Sequence, residues 1–364
     1  MNSLTEFEKV FYLENADVVS FGKMCSLNKA WNDLCYHSKH TERIFHTRSL
    51  ERISKEIVTF KPTNMSWKEF YARIVVMQNG KWTADEYCDR GNLMEISILT
   101  NMNPPILPTT RGANWAARKG HLDIVQYLVS IGIIPDQSGM DWATENGHLD
   151  VVQYLASRGL RPRQRSVDRA AENGHLEVLK YLRSHNMGPA NYVIKNVVKN
   201  GHLEVIKFAN LLPGPEDLNN AAENGHLEIV KYIMDHDNWN IQPTEETVDR
   251  AAQNGHLEIV KYLASLRPPV LPSLGTLSRV AARGFLDIVK YLVSVGQSLQ
   301  PRDAVLAAVD GHLDIIKYMV SLGITPDPRA ADTAVERGHI EVLKYLVSLG
   351  ILPSKERAPD VAGK

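Results

Sequence analysis

The chain has 364 residues, Lys plus Arg at 41 against Asp plus Glu at 42, a net charge of −1 and 44% hydrophobic residues. So even a balance exerts no general pull toward nucleic acid or anionic membrane, and no apolar run approaches the about 18 residues of a membrane-spanning helix. The length exceeds one small core, so several cores or one elongated array are expected.

The N-terminus, MNSLTEFEKVFYLENADVV, carries acidic groups inside its apolar stretch and lacks the basic start of a signal peptide. Cys25, Cys35 and Cys88 are the three cysteines. So odd and sparse a set points to a reducing compartment, cytoplasm or nucleus, rather than a disulfide framework. Residues 11–35 place Val18, Val19, Phe21, Met24, Leu27, Trp31 and Leu34 as two short packed helices require. TERIFHTRSLERI follows, then a break at Pro62. SWKEFYARIVV at 66–76 predicts a helix with Trp67, Phe70, Tyr71 and Ile74 on one side.

Through Tyr12-Leu13, Ser20-Phe21, Met24, Leu27-Asn28-Lys29-Ala30-Trp31 and Leu34, residues 1–76 resemble an F-box domain. The Leu-Asn-Lys-x-Trp element is the best match. The leading Leu-Pro is absent, and the spacing from Leu13 to Ser20 is longer than the usual pattern. The resemblance implies that Leu13, Phe21, Met24, Leu27, Trp31 and Leu34 dock an adaptor subunit of a cullin–RING (SCF-type) ubiquitin ligase. The alternative is a helical cap that shields the end of a repeat array.

From Gly91 onward an internal repeat dominates. Residues 170–182, 221–233 and 251–263 read AAENGHLEVLKYL, AAENGHLEIVKYI and AAQNGHLEIVKYL. Landmark glycines fall at Gly120, Gly147, Gly174, Gly201, Gly225, Gly255, Gly284, Gly311 and Gly338, mostly 27 residues apart. A degenerate unit around Gly91 has Tyr87 and Cys88 in place of the paired alanines, which makes ten units. Each reads as two short antiparallel helices. In the unit around Gly174, Val167, Ala170 and Ala171 share one helical side, and the glycine ends that helix in the left-handed conformation. Leu176, Val178, Leu179, Tyr181 and Leu182 line the second helix, with Glu177 and Lys180 toward solvent. Prolines such as Pro135, Pro162 and Pro326 then stop the chain. A unit this small cannot bury a core alone, so stacking must cover both of its sides.

The Ala-Ala-x-x-Gly-His-Leu-x-x-Val-x-x-Leu pattern over 82–353 resembles ankyrin repeats. The implied fold is all-α, an ankyrin-type helical solenoid of about ten helix-turn-helix units behind the N-terminal helical domain, with 354–364 a flexible tail. These units are shorter than the about 33 residues usual for the family. The Thr-Pro-Leu-His start is missing, its histidine position being held by Asp141, Asp168, Asn219, Asp249 and Asp332 among others. A shortened finger between units predicts a flatter binding surface built mainly from first helices. F-box joined to ankyrin units also resembles giant-virus proteins, which implies a host-cell location.

Histidine follows the landmark glycine in eight of the nine strong units, with Phe285 as the exception. Stacked helices lie about 8–10 Å apart, too far for neighbouring histidines to share a zinc ion. The histidine is therefore expected to be a turn residue that hydrogen-bonds backbone groups between the helices.

Positions that vary while the repeat stays constant are free for recognition. Two residues before the glycines come Arg118, Glu145, Glu172, Lys199, Glu223 and Gln253, and five before come Trp115, Trp142, Arg169 and Arg250. Trp and Arg are favoured contact residues, and Trp115 and Trp142 are expected to stack near one another. Packing between units for the tryptophans, and an ordinary solvated surface for the charges, remain open alternatives. No phosphate loop, nucleophile elbow, HExxH or CxxC occurs. The expectation is a monomeric, non-enzymatic binding protein without cofactors, nucleic acid or membrane. It would act either as a substrate receptor for a ubiquitin ligase or as a scaffold or inhibitor using the array alone.

Overall fold

A computed structural model describes residues 35, 41–52, 61, 65–70, 82–102 and 104–354. Every regular element among them is a helix. Helix Thr41–Arg52 buries Ile44 and Phe45, and Phe70 of the short helical stretch at 67–70 is buried as well. The Trp67 N–H donates to Glu42 Oε2 at 2.7 Å, and the Trp67 ring meets His46 and Phe70. The expected helix of 66–76 is thus seen over its first turn, while 71–80 lie outside the described residues. Cys35 is disulfide-bonded, which departs from the expectation drawn from the odd cysteine count. Cys88 is a free, buried thiol, which burial first and the charge of Asp85 second push up to about 12.

Ten helical pairs follow among the described residues. Repeat 1 pairs Ala84–Asp89 with Leu93–Thr100, repeat 2 Thr110–Lys119 with Leu122–Ser130, and repeat 3 Gln137–Glu145 with Leu149–Ser157. Repeat 4 pairs Gln164–Glu172 with Leu176–Ser184, repeat 5 Ile194–Lys199 with Leu203–Ala209, and repeat 6 Pro215–Glu223 with Leu227–Met234. Repeat 7 is Glu245–Gln253 with Leu257–Ala264, and repeat 8 is Thr276–Ala282 with Leu286–Ser294. Repeats 9 and 10 are Asp303–Val309 with Leu313–Ser321 and Arg329–Arg337 with Ile340–Ser348. Together they make an all-helical repeat solenoid of ankyrin type. The chain forms two compact units: Met1–Ala170 with His175–Gly188, and Ala171–Gly174 with Pro189–Lys364.

The expected core is in place. Val167, Ala170 and Ala171 are fully buried, as are Ala116 with Ala117 and Ala251 with Ala252. Alanine at these positions lets first helices approach closely, and the first helix of repeat 2 packs directly on those of repeats 1 and 3. Tyr87 and Cys88 fill the same places in repeat 1. On second helices Val178, Leu179 and Leu182 are buried, while Glu177 pairs with Lys180 in solvent at 2.6 Å. Connectors such as 131–136 and 322–328 run as turns and extended chain, in keeping with a shortened finger.

The histidines bond backbone groups as expected, and the structure shows which ones. Each reaches back to the preceding repeat rather than across its own. Within the first compact unit His148 Nε2–H donates to the Arg118 carbonyl at 2.9 Å. Within the second, His226 donates to Lys199, His256 to Glu223 and His339 to Val309, at 2.8 to 2.9 Å. A carbonyl only accepts, so Nε2 carries the proton. The ring lies flat over the preceding landmark glycine: a Cβ built on Gly225 would stand 2.6 Å from His256 Cε1. Gly338, in the last repeat, has nothing in that place among the described residues. In repeat 8 the two roles separate. The Phe285 ring covers Gly255, and Arg283 Nη1 donates to the Gln253 carbonyl at 2.6 Å.

The position that the family gives to histidine forms a second tie. Asp249 accepts from the Ser273 N–H at 2.8 Å and from the Ser273 and Thr276 hydroxyls at 2.6 Å. Asp141 accepts from the Arg163 N–H and the Ser166 hydroxyl, and Asp85 from the Thr109 N–H and hydroxyl. A carboxylate from one repeat thereby anchors the start of the next first helix.

Two outcomes are expected. Gly225 and Gly338 both hold positive φ, at 81° and 73°, so alanine is strained at either by about 1–2 kcal/mol. Only at Gly225 does it also displace a ring, so Gly225→Ala lowers the denaturation midpoint clearly more than Gly338→Ala; equal losses would show that the rings do not bear on the glycines. Burial, with His226 nearby, holds His202 below the ordinary imidazole value. The unfolded chain therefore takes up this proton first, and stability falls as pH drops below the ordinary imidazole value of about 6.5. His202→Phe, which copies the ring that Phe285 places in repeat 8, is expected to flatten that part of a pH series of melting temperatures.

Candidate interaction face

First helices present a repeating outward stripe. Residues nine, five and two before the landmark glycine stand at i, i+4 and i+7, one side of a helix. The positions between them carry the buried alanines and the anchoring carboxylates. The stripe reads Arg111, Trp115 and Arg118 in repeat 2; Ser138, Trp142 and Glu145 in repeat 3; and Arg165, Arg169 and Glu172 in repeat 4. It continues as Tyr192, Asn196 and Lys199, then Glu216, Asn220 and Glu223, then Glu246, Arg250 and Gln253.

In the first compact unit Arg118, Arg165 and Arg169 are exposed, and Trp115 and Trp142 are half-buried. The Arg111 guanidinium lies 4.2 Å from the Trp115 ring centroid. No ring contact joins Trp115 to Trp142 among the described residues, so the expected stack does not form; Trp115 is covered by its own helix's arginine instead. Glu145 sits between charges. Burial raises its carboxyl pKa, Asp141 adds to that, and Arg169 and Arg165 oppose it.

In the second compact unit the stripe is largely bonded to itself. Arg250 pairs with Glu246 at 2.6 Å, Glu216 at 3.0 Å and Glu223 at 3.1 Å, tying repeat 7 to repeat 6. Glu172 is buried, and its carboxylate accepts from Asn196 Nδ2 at 2.7 Å. Of the residues expected to meet a partner, Glu172, Glu223 and Arg250 therefore have partners within the chain. Lys199 is exposed and Gln253 half-buried. The residues nine before the glycine were not singled out from the sequence, and the i, i+4, i+7 spacing was the available signal. Leu13, Phe21, Met24, Leu27, Trp31 and Leu34 lie outside the described residues. Among the described residues no group of His, Cys, Asp and Glu could hold a metal ion, and no helix is long and apolar enough to cross a membrane.

The family model for ankyrin repeats matches residues 102–166 and 167–270, as three copies. No curated protein sequence matches the chain. Among solved structures, two of the pentatricopeptide repeat protein PPR10 in complex with an 18-nt psaJ RNA element are similar at 11% identity and TM-score 0.37, over 96% of this chain and 59% of theirs. PPR10 from maize is similar at 11% identity and TM-score 0.31, over 97% of this chain and 69% of that one. The chain thus spans about three fifths of the length of the first two. Superpositions this loose say nothing about ligands.

The geometry separates surface residues from tying residues. Arg118→Ala and Arg165→Ala are expected to change stability by no more than about 0.5 kcal/mol. Asp249→Ala strands the Ser273 N–H and the buried Thr276 hydroxyl, a loss of about 1–3 kcal/mol. Urea titration of the three variants checks this, and a costly Arg118→Ala would place that side chain in the scaffold.

Proposed function

We propose that the chain is a non-enzymatic binding protein that holds a partner protein on the first-helix side of its repeats. Ankyrin repeats are a protein–protein interaction module, and the observation that carries the reading is the arginine- and tryptophan-bearing stripe of repeats 2 to 4. The repeat ties to its neighbours through glycine, histidine, alanine and the anchoring carboxylates. Ser138, Trp142 and Arg165 stand outside the glycine, histidine, alanine and carboxylate positions, so their identities can serve recognition.

We further propose that residues 1–76 join the chain to an adaptor of a cullin–RING ubiquitin ligase, with 82–353 holding the substrate. The Leu27–Trp31 element supports this, as does the F-box-like order of apolar residues around it. No residue of the chain then needs to catalyse anything, because ubiquitin transfer belongs to other subunits. Cytoplasm or nucleus is the location this requires.

The test is a pull-down from eukaryotic lysate with the full-length chain, a Leu27→Ala/Trp31→Ala variant and residues 77–364. Adaptor and cullin are expected with the full-length chain alone, and other proteins shared by all three baits are the substrate candidates. Ligase subunits absent from every bait would leave a scaffold whose first residues only cap the array.

A further inference from the structure

The stripe of the first compact unit carries exposed arginines where that of the second carries the Arg250 cluster. Arg118 and Arg165 are exposed and make no ion pair among the described residues, and Arg169 is exposed beside them. Arg158 and Arg161 add further exposed positive charge between repeats 3 and 4, and Arg163, also exposed, pairs with Asp141 at 3.5 Å. Residues 151–170 hold five arginines against the single acid Asp168, in a chain whose overall charge is −1. This local excess is invisible in the total. On repeats 1 and 2 lies a hollow of about 510 Å³, its apolar lining made by Ala84, Ile106, Leu107 and Trp115, with Arg111 among its residues. Ile106 and Leu107 are 43% and 55% exposed there. The acids of the hollow are already engaged: Asp85 holds Thr109, and Glu86 caps Thr83.

We infer that repeats 1 to 4 bind an acidic segment of a partner protein, anchored by one large apolar side chain in the Ile106–Leu107–Trp115 hollow and held by carboxylates on Arg118 and Arg165. This rests on the protein-binding reading above and names the chemistry of the partner. Guanidinium forks take carboxylates in paired hydrogen bonds, and an arginine beside an aromatic ring is partly ordered before binding. A continuous phosphate backbone fits less well. Glu145 stands between Trp142 and the Arg165–Arg169 pair and would repel an unbroken row of negative charge, whereas a peptide with spaced acids can leave that place to a neutral residue. The tryptophan edges and the hollow then supply the apolar contact that a purely electrostatic surface lacks.

The test starts from random twelve-residue peptides displayed on phage and selected on the full-length chain. Recovered peptides are synthesised with a fluorescent label and titrated by polarisation. The same titrations use Arg118→Glu/Arg165→Glu and Arg111→Ala/Trp115→Ala variants, whose melting temperatures are checked first. A labelled 20-nucleotide single-stranded RNA serves as the competing probe. The expected result is enrichment of Asp and Glu around one large apolar residue. Charge reversal should weaken binding by about tenfold or more, and the hollow variant likewise, with affinity falling as salt rises because exposed pairs are screened. Peptides without acidic enrichment, or binding unmoved by Arg118→Glu/Arg165→Glu, would overturn the inference while leaving the protein-binding reading intact. No recovered peptide would also overturn it, and if the RNA bound, the protein-binding reading would fall with it. A lysate partner captured equally by wild type and the charge-reversed variant would sink this proposal alone.

Discussion

Eight of the ten repeats set an imidazole on the backbone of the one before. The ring needs bare backbone beneath it, which only glycine provides, and its Nε2–H needs the carbonyl two residues upstream. That glycine is also where the first helix turns left-handed into the second. One residue thus satisfies a conformational requirement within its repeat and a steric one imposed by the next. The paired alanines suit the same close approach, although Tyr87 with Cys88 in repeat 1 and Val197 with Val198 in repeat 5 are buried at those places. Phe285 and Arg283 show that the seat and the hydrogen bond are separable demands, met in repeat 8 by two residues.

With stacking handled by glycine, histidine, alanine and the anchoring carboxylates, the outward stripe is released from structural duty. The chain uses that freedom in two ways. In repeats 6 and 7 it is spent on an arginine with three carboxylate neighbours, which binds one repeat to the next. In repeats 2 to 4 it carries arginines and half-buried tryptophans beside an apolar hollow. The same register positions are internal cement in one compact unit and an outward chemistry in the other. What separates them is the charge of the residues nine and two before the glycine: acids in repeat 6 meet Arg250, whereas Arg165 and Arg169 of repeat 4 face the lone acid Glu145.

Much of this was legible beforehand because a repeat supplies its own comparison. Ten copies in one chain separate invariant positions from variable ones, and helical spacing assigns Val167, Ala170 and Ala171 to the core without coordinates. The histidine's backbone bonding was expected but its particular partner was not legible, because the pattern shows a residue recurring, not what it touches. Periodicity along the chain is blind to whether a ring points across its own repeat or back to the previous one. The expected Trp115–Trp142 stack failed for a related reason. Equal register makes two residues neighbours, but Arg111, one turn earlier on the same helix, covers the first ring.

By itself the sequence determined the unit, its two helices, the glycine-ended turn between them and the core that stacking must bury. These follow from local backbone preference and from the spacing of apolar residues, both of which are written in order along the chain. Tertiary structure alone decided which polar groups meet across repeats: His256 on Glu223, Asp249 on Ser273 and Thr276, Arg250 among three glutamates. It also decided that Arg111 and Trp115 border one hollow with Ile106 and Leu107. Such meetings depend on the offset between neighbouring helices, which side-chain volumes at the contact fix and no single segment encodes.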